Sequence, residues 1–214
     1  MKNLKWYEKP LRISAVQCNY GENSFDILEN HVFQGHFNTE QLLHLNADGH
    51  TSFYNHERDA EKLKKYIVEA KKRNIRIILY WNTHCVEKPE RDAHPDWIQV
   101  TKNKEEVTAY TNKYMLCINS SWVDDFMDNL QKVCSLDIDG IFLDGPVITP
   151  QGCHCEACQK KFTDQFGKSI WDATYREMVE FKVTSVTQYV KKTHEIKNSI
   201  NPEILVYLNN SSLR

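Results

Sequence analysis

"DIDGIFLDGP" (137–146) is the stretch on which the fold turns. Ile141-Phe142-Leu143 is a continuous apolar run between Gly140 and Gly145-Pro146, too short for a helix and without polar alternation. That pattern predicts a strand buried on both faces, which is the habit of parallel sheets. The preceding segment "SSWVDDFMDNLQKVCSL" (120–136) has helical spacing, with Ser120 or Ser121 as a cap and Asp124 and Asp125 in the first turn. The following segment "CHCEACQKKF" (153–162) runs into a helix over Glu156–Gln165, with Gly167 as its stop. The strand is therefore flanked by helices on both sides.

Outward from this unit the alternation continues. Arg12–Cys18 reads as a β-rich strand, "SFDILENHVFQ" (24–34) as a helix, and Thr39–Asn46 as strand or helix by pattern alone. Arg58–Asn74 is an amphipathic helix with Leu63, Ile67 and Ala70 on one face. Ile75–Asn82 is a buried strand, residues 83–116 form an excursion, a long helix starts at Trp171, and Glu203–Asn210 is a last strand. Alternating strands and helices imply α/β architecture with parallel pairing. After the first strand, "VQCNYGENSF" has one glycine, so a dinucleotide-binding fold is disfavoured. The expectation is a (β/α)8 barrel of the TIM type. Five strands are counted where a barrel needs about eight, in about 250 residues. The 214 residues therefore read as a single domain, the N-terminal portion of an incomplete or truncated barrel. It would carry the excursion at 83–116 and a cysteine-clamped loop at 145–158.

Composition excludes several classes. A net charge of −2 with dispersed lysines gives no basic surface for nucleic acid. No apolar run approaches the roughly 20 residues of a membrane helix. "MKNLKWYEKP" (1–10) lacks the apolar core of a signal peptide, so the expected location is the cytoplasm. An open sheet would expose edge strands, so a homo-oligomer or a missing C-terminal half is expected to cover them.

Barrel chemistry sits where strands end. Gln17, Asn19, His44, Asn46, Trp81, Asn82, His84 and Asn209 collect at such ends. Amides, imidazoles and an aromatic ring are the inventory of a sugar pocket, since hydroxyls need paired donors and acceptors and the sugar face needs a platform. Asp144 ends the apolar run and opens a Gly-Pro loop. Such a carboxyl serves either as a general acid or as a nucleophile. A turn residue is the alternative for any one of these positions.

Cys153-x-Cys155-x-x-Cys158 offers three thiolates, and a structural zinc site needs four ligands. Cys117 is the first candidate for the fourth, with Cys85 and His154 as competitors. A redox pair at Cys155-x-x-Cys158 is the alternative, although it needs no third thiol.

These residues resemble a known family. A cysteine shortly before a helix, a carboxylate ending strand four, and C-x-C-x-x-C nine residues later are similar to the zinc-containing β-galactosidases of glycoside hydrolase family 42. That resemblance implies zinc on Cys117, Cys153, Cys155 and Cys158, and a general acid/base at Asp144. "RIILYWNTHC" (76–85) and "IFLDGP…CHCEACQKKFTDQFG" (141–167) look closer still to predicted glycoside-hydrolase-like barrels of unassigned specificity. The match spans Arg12 to Tyr175. Family 42 has Asn-Glu where this chain has Leu143-Asp144. Barrels resembling α-fucosidases and α-galactosidases place a nucleophilic aspartate there instead.

The expected function is hydrolysis of O-glycosidic bonds of a carbohydrate, as a glycosidase with structural zinc. A non-catalytic carbohydrate-binding or assembly fragment is the first alternative. A metal-dependent hydrolase using His44, His84 and Asp144 is the second.

Overall fold

The computed structural model describes residues 4–15, 24–42, 56–110 and 112–209. Gln17, Cys18, Asn19, His44 and Asn46 lie outside the described residues. In chain order the first elements are β1 (Ile13–Ser14), α1 (Ser24–Ile27), β2 (Thr39–Leu42), α2 (His56–Lys72), β3 (Arg76–Asn82), β4 (Cys85–Val86) and α3 (Lys88–Ala93). Then follow β5 (Thr108–Ala109), β6 (Lys113–Met115), α4 (Trp122–Cys134), β7 (Gly140–Asp144), α5 (Glu156–Phe166), α6 (Tyr175–Ile200) and β8 (Leu205–Asn209). The chain forms two compact units, one of Met1–Trp81, Lys132–Leu143 and Lys197–Tyr207, the other of Asn82–Gln131, Asp144–Ile196 and Leu208–Arg214.

The first unit is organised by a five-stranded sheet in the order β1-β2-β3-β7-β8. β1 pairs β2 in parallel (Ile13 with Thr39), and β2 pairs β3 in parallel from Thr39–Arg76 to Leu42–Leu79. The segment over 39–46, ambiguous by pattern, is thus a strand over Thr39–Leu42. Asp139 N donates to Ile77 O at 2.9 Å, and Leu205 N to Asp139 O at 3.0 Å, which continues the ladder through β7 and β8. Ile77, Ile78 and Leu79 are all fully buried, so β3 is covered on both faces. Helix α2 buries Leu63, Tyr66, Ile67 and Ala70 as one stripe. It stops where Asn74 enters the left-handed region (φ 56°), a conformation asparagine tolerates, and Ile75 N returns to Ala70 O at 3.0 Å. The chain then enters β3 at once.

The second unit holds the excursion and the cysteine loop. The excursion contains a three-stranded antiparallel sheet in the order β4-β6-β5. The helix expected from Trp171 begins later, at Tyr175. Thr174 and Glu177 bond reciprocally there: Thr174 N donates to Glu177 Oε2 at 2.8 Å, and Glu177 N to Thr174 Oγ1 at 3.3 Å. This is a capping box, and it fixes the helix start. Residues Ile170–Asp172 make a separate tight turn.

Candidate active site and metal centre

Two aspartates bracket β7, and their surroundings differ. Asp139 accepts from Arg76 Nη1 at 2.7 Å and from Ile77 N at 2.9 Å, so both its oxygens hold the fold. Asp144 ends the strand, and its side chain is 24% exposed. Its backbone carbonyl accepts from Thr83 N at 3.0 Å and lies 2.8 Å from His84 Nδ1. A carbonyl only accepts, so His84 carries its proton on Nδ1. His84 Nδ1 is also 3.8 Å from Asp144 Oδ2, and Asn209 Nδ2 donates to Asp144 Oδ1 at 3.3 Å. Burial of the His84 ring disfavours its charge. The Cys85 side chain and the carbonyl and carboxylate of Asp144 outweigh that, and the His84 pKa is raised.

The chain leaves Asp144 through Gly145, at φ 126°, where a Cβ would lie 2.8 Å from Thr83 Oγ1. Only glycine fits this approach. His84, Tyr110, Met115, Asp144, Val147 and Asn209 line a cavity of about 240 Å³ together with Ala109. Tyr110 is 73% exposed, and its ring stands edge-on to His84 with centroids 5.8 Å apart. Sequence reasoning missed Tyr110. Its backbone adopts φ 51°, a strained position for a non-glycine residue and a mark of special sites, but one invisible in sequence.

Asp144, His84 and Asn209 are thus brought together. Asn82 is not among the residues lining this cavity, and Trp81 belongs to the first unit; both are 2% exposed. Asn82 Oδ1 accepts from the backbone N–H of His84 (3.0 Å) and Cys85 (3.3 Å), and Nδ2 donates to Cys85 O at 2.8 Å. In this arrangement Asn82 shapes the turn that presents His84.

The same unit has a larger groove of about 1060 Å³, lined in part by Lys102, Ser121, Gln159 and Trp171. Several of its polar groups are already bonded within the fold: Gln159 Nε2 to His154 O, Lys102 Nζ to Trp171 O, and Ser121 to Asp96. The smaller cavity holds the strand-end carboxylate, and the candidate active site is placed there.

The four sulfurs of Cys117, Cys153, Cys155 and Cys158 lie within 4.8 Å of one another, all buried, and could hold a metal ion. Cys117 Sγ is 3.5 Å from Cys158 Sγ and 3.6 Å from Cys155 Sγ. A tetrahedral zinc with bonds near 2.3 Å sets sulfurs about 3.8 Å apart, so the donor set and its spacing fit such an ion. Local structure assembles the set. Cys155 is the cap of α5 and Cys158 lies in its first turn. Cys117 N donates to Trp97 O at 2.7 Å. Gly152 turns the chain into the cluster at φ 83°, and a Cβ there would lie 2.2 Å from Met178 Sδ. Phe162, Ile170, Met178 and Phe181 pack around the sulfurs. Hydrogen bonding among the thiols raises the pKa of Cys117, with burial adding to it, and lowers that of Cys155. Of the two competitors, Cys85 neighbours Asn82 (Nδ2 to Sγ 3.5 Å), and the His154 ring packs on Trp171 at 5.0 Å. Among the described residues no helix is long and apolar enough to cross a membrane.

Comparison with solved structures shows the fold. An α-L-fucosidase isoenzyme 2 from Paenibacillus thiaminolyticus superposes with a TM-score of 0.73 at 17% identity, over 94% of this chain and 32% of its own. A β-galactosidase from the Antarctic haloarchaeon Halorubrum lacusprofundi gives 0.68 at 13% identity, over 94% and 36%. The α-galactosidase TtGalA from Thermus thermophilus gives 0.57 at 14% identity, over 95% and 39%. The fold is therefore α/β with a parallel sheet, matching part of a (β/α)8 barrel. The chain spans roughly a third of the length of these structures. Among curated proteins none matches. Residues 39–145, from β2 to the glycine after Asp144, match the model of the family described as hypothetical glycosyl hydrolase 6, and the chain belongs to that family.

Proposed function

We propose that this protein is a glycosidase hydrolysing O-glycosidic bonds of a carbohydrate, with Asp144 as a catalytic carboxylate and a structural zinc on Cys117, Cys153, Cys155 and Cys158. The observation that carries the reading is the Asp144 carboxylate at the tip of β7, lining a cavity with His84 and Asn209. The similar structures are an α-L-fucosidase, a β-galactosidase and an α-galactosidase, which supports a glycoside as the substrate class.

In this reading His84 and Asn209 orient the carboxylate and offer polar contacts to sugar hydroxyls. Tyr110 supplies the aromatic platform. Gln17, Asn19, His44 and Asn46 are further sugar contacts in the proposal. Hydrolysis by this route uses a second carboxyl group across the scissile bond. Zinc, when bound, neutralises thiolates and ties the 145–158 loop to the segment carrying Cys117. It takes no part in bond cleavage. The chain is read as one barrel-type domain.

The reading as a metal-dependent hydrolase using His44, His84 and Asp144 has less support, because among the described residues the donor side chains grouped closely enough to share an ion are the four cysteines. A purely sugar-binding role remains the second reading, favoured by the exposed Tyr110 ring. A panel of α- and β-linked aryl fucosides and galactosides, offered to the full-length protein, separates the two. Released phenol supports hydrolysis. Saturable binding with no release on any member supports the second reading.

A further inference from the structure

We propose that Asn119 and Lys161 form an outer layer of the cysteine centre that balances its charge and sets how tightly it holds its ion. The inference rests on the reading of the four cysteines as a metal site. Four thiolates carry more negative charge than a divalent ion cancels, and here the surplus is buried. Outer hydrogen bonds must take it up.

Asn119 does this twice. Its backbone N–H donates to Cys117 Sγ at 3.4 Å, and its Nδ2 donates to Cys158 Sγ at 3.3 Å. Nδ2 also donates to Ser185 Oγ at 3.0 Å, which fixes the amide plane. The other end of the amide, Oδ1, accepts from Lys161 Nζ at 2.7 Å. A cation therefore pulls on the oxygen of the group whose N–H points at the sulfur, and polarises it towards that charge. Lys161 lies three residues after Cys158 on α5, which puts both on one helix face. The Cys153 sulfur accepts from main chain, from Val100 N at 3.4 Å and Cys155 N at 3.5 Å. Lys182, also buried beside this cluster, donates instead to Pro150 O at 3.3 Å.

Metal-free full-length protein titrated with Co²⁺, read by thiolate-to-cobalt absorption, tests the proposal, alongside the rate of Zn²⁺ transfer to a chromogenic chelator. Wild type should take one equivalent. Lys161→Met and Asn119→Asp should weaken metal binding by about 10–100-fold and speed transfer, as loss of outer-shell partners does. Lys161→Arg should restore most of the affinity. If Asn119→Asp does not fold, Lys161→Met, which keeps the aliphatic stem, decides. Wild-type affinity and transfer rate in Lys161→Met would overturn the outer-layer role while leaving the metal site standing. A wild-type protein that takes up no Co²⁺ would overturn the metal site and this inference with it.

Discussion

The Nδ1 of His84 lies 2.8 Å from the backbone carbonyl oxygen of Asp144, and its carboxylate Oδ2 is 3.8 Å from the same nitrogen. One imidazole thus fixes the main chain at the strand tip and faces the acid at that tip. Thr83 N also donates to the Asp144 carbonyl at 3.0 Å, so His84→Ala leaves that oxygen bonded. The variant still loses the packing of a buried ring along with its hydrogen bond, and should lose about 2–4 kcal/mol of stability. Turnover should fall at least about tenfold, since the carboxylate loses an orienting partner. Urea denaturation and aryl-glycoside kinetics check the two halves separately.

Tyr110 is predicted to act in binding alone. Its ring is 73% exposed, so Tyr110→Ala should leave the melting temperature nearly unchanged. Loss of a platform for the sugar face should raise KM by about tenfold, from roughly 1–1.5 kcal/mol of contact. A fall in kcat at constant KM would assign the ring another role.

The metal prediction is stoichiometric. Elemental analysis should find about one zinc per chain, as a four-cysteine structural site requires. Cys158→Ser should lose it and melt earlier. A chain that carries no zinc and keeps its full thermal stability on cysteine replacement speaks against the clamp.

Gly152→Ala should be among the most damaging single methyl additions. The backbone is left-handed there, and the new Cβ would lie 2.2 Å from Met178 Sδ. A cost of about 2–4 kcal/mol and a loosened metal centre are expected. Adding Met178→Ala removes the clash but not the backbone strain, so it should restore only part of the loss.

Cys134 links stability to alkaline pH. Burial raises its pKa from 9.0 to about 11. The folded state therefore holds this proton where the unfolded state releases it. Stability from this group is complete below pH 9 and falls as pH rises towards about 11, by roughly 2–3 kcal/mol. Denaturation midpoints followed across that window in wild type and Cys134→Ala should show the extra alkaline loss in wild type only.

Much of the fold was legible because buried parallel strands write themselves as unbroken apolar runs, as Ile77–Leu79 and Ile141–Leu143 do. The cysteine group was legible because a metal-like donor set needs fixed short spacings plus one distant partner, and Cys117 does lie beside the other three. The bonds by which Asn82 shapes the turn to His84 were not legible, since an amide that shapes a turn and one that grips a sugar are the same residue type. Tyr110 and Asn119 were hidden for another reason. Each matters through a backbone angle or a neighbour 39 residues away, such as Cys158 for Asn119, and neither leaves a local pattern. The start of α6 was misplaced because the capping box Thr174-x-x-Glu177 outweighs the helical periodicity around Trp171.

Replacement of Asp144 by asparagine in the full-length protein probes the account most directly. The substitution keeps size and hydrogen-bonding reach and removes only the charge and the nucleophilic or acidic oxygen. Circular dichroism should stay native while turnover on the best aryl glycoside falls by about 10²–10⁴-fold. Undiminished turnover in Asp144→Asn would contradict the assignment of the catalytic carboxylate.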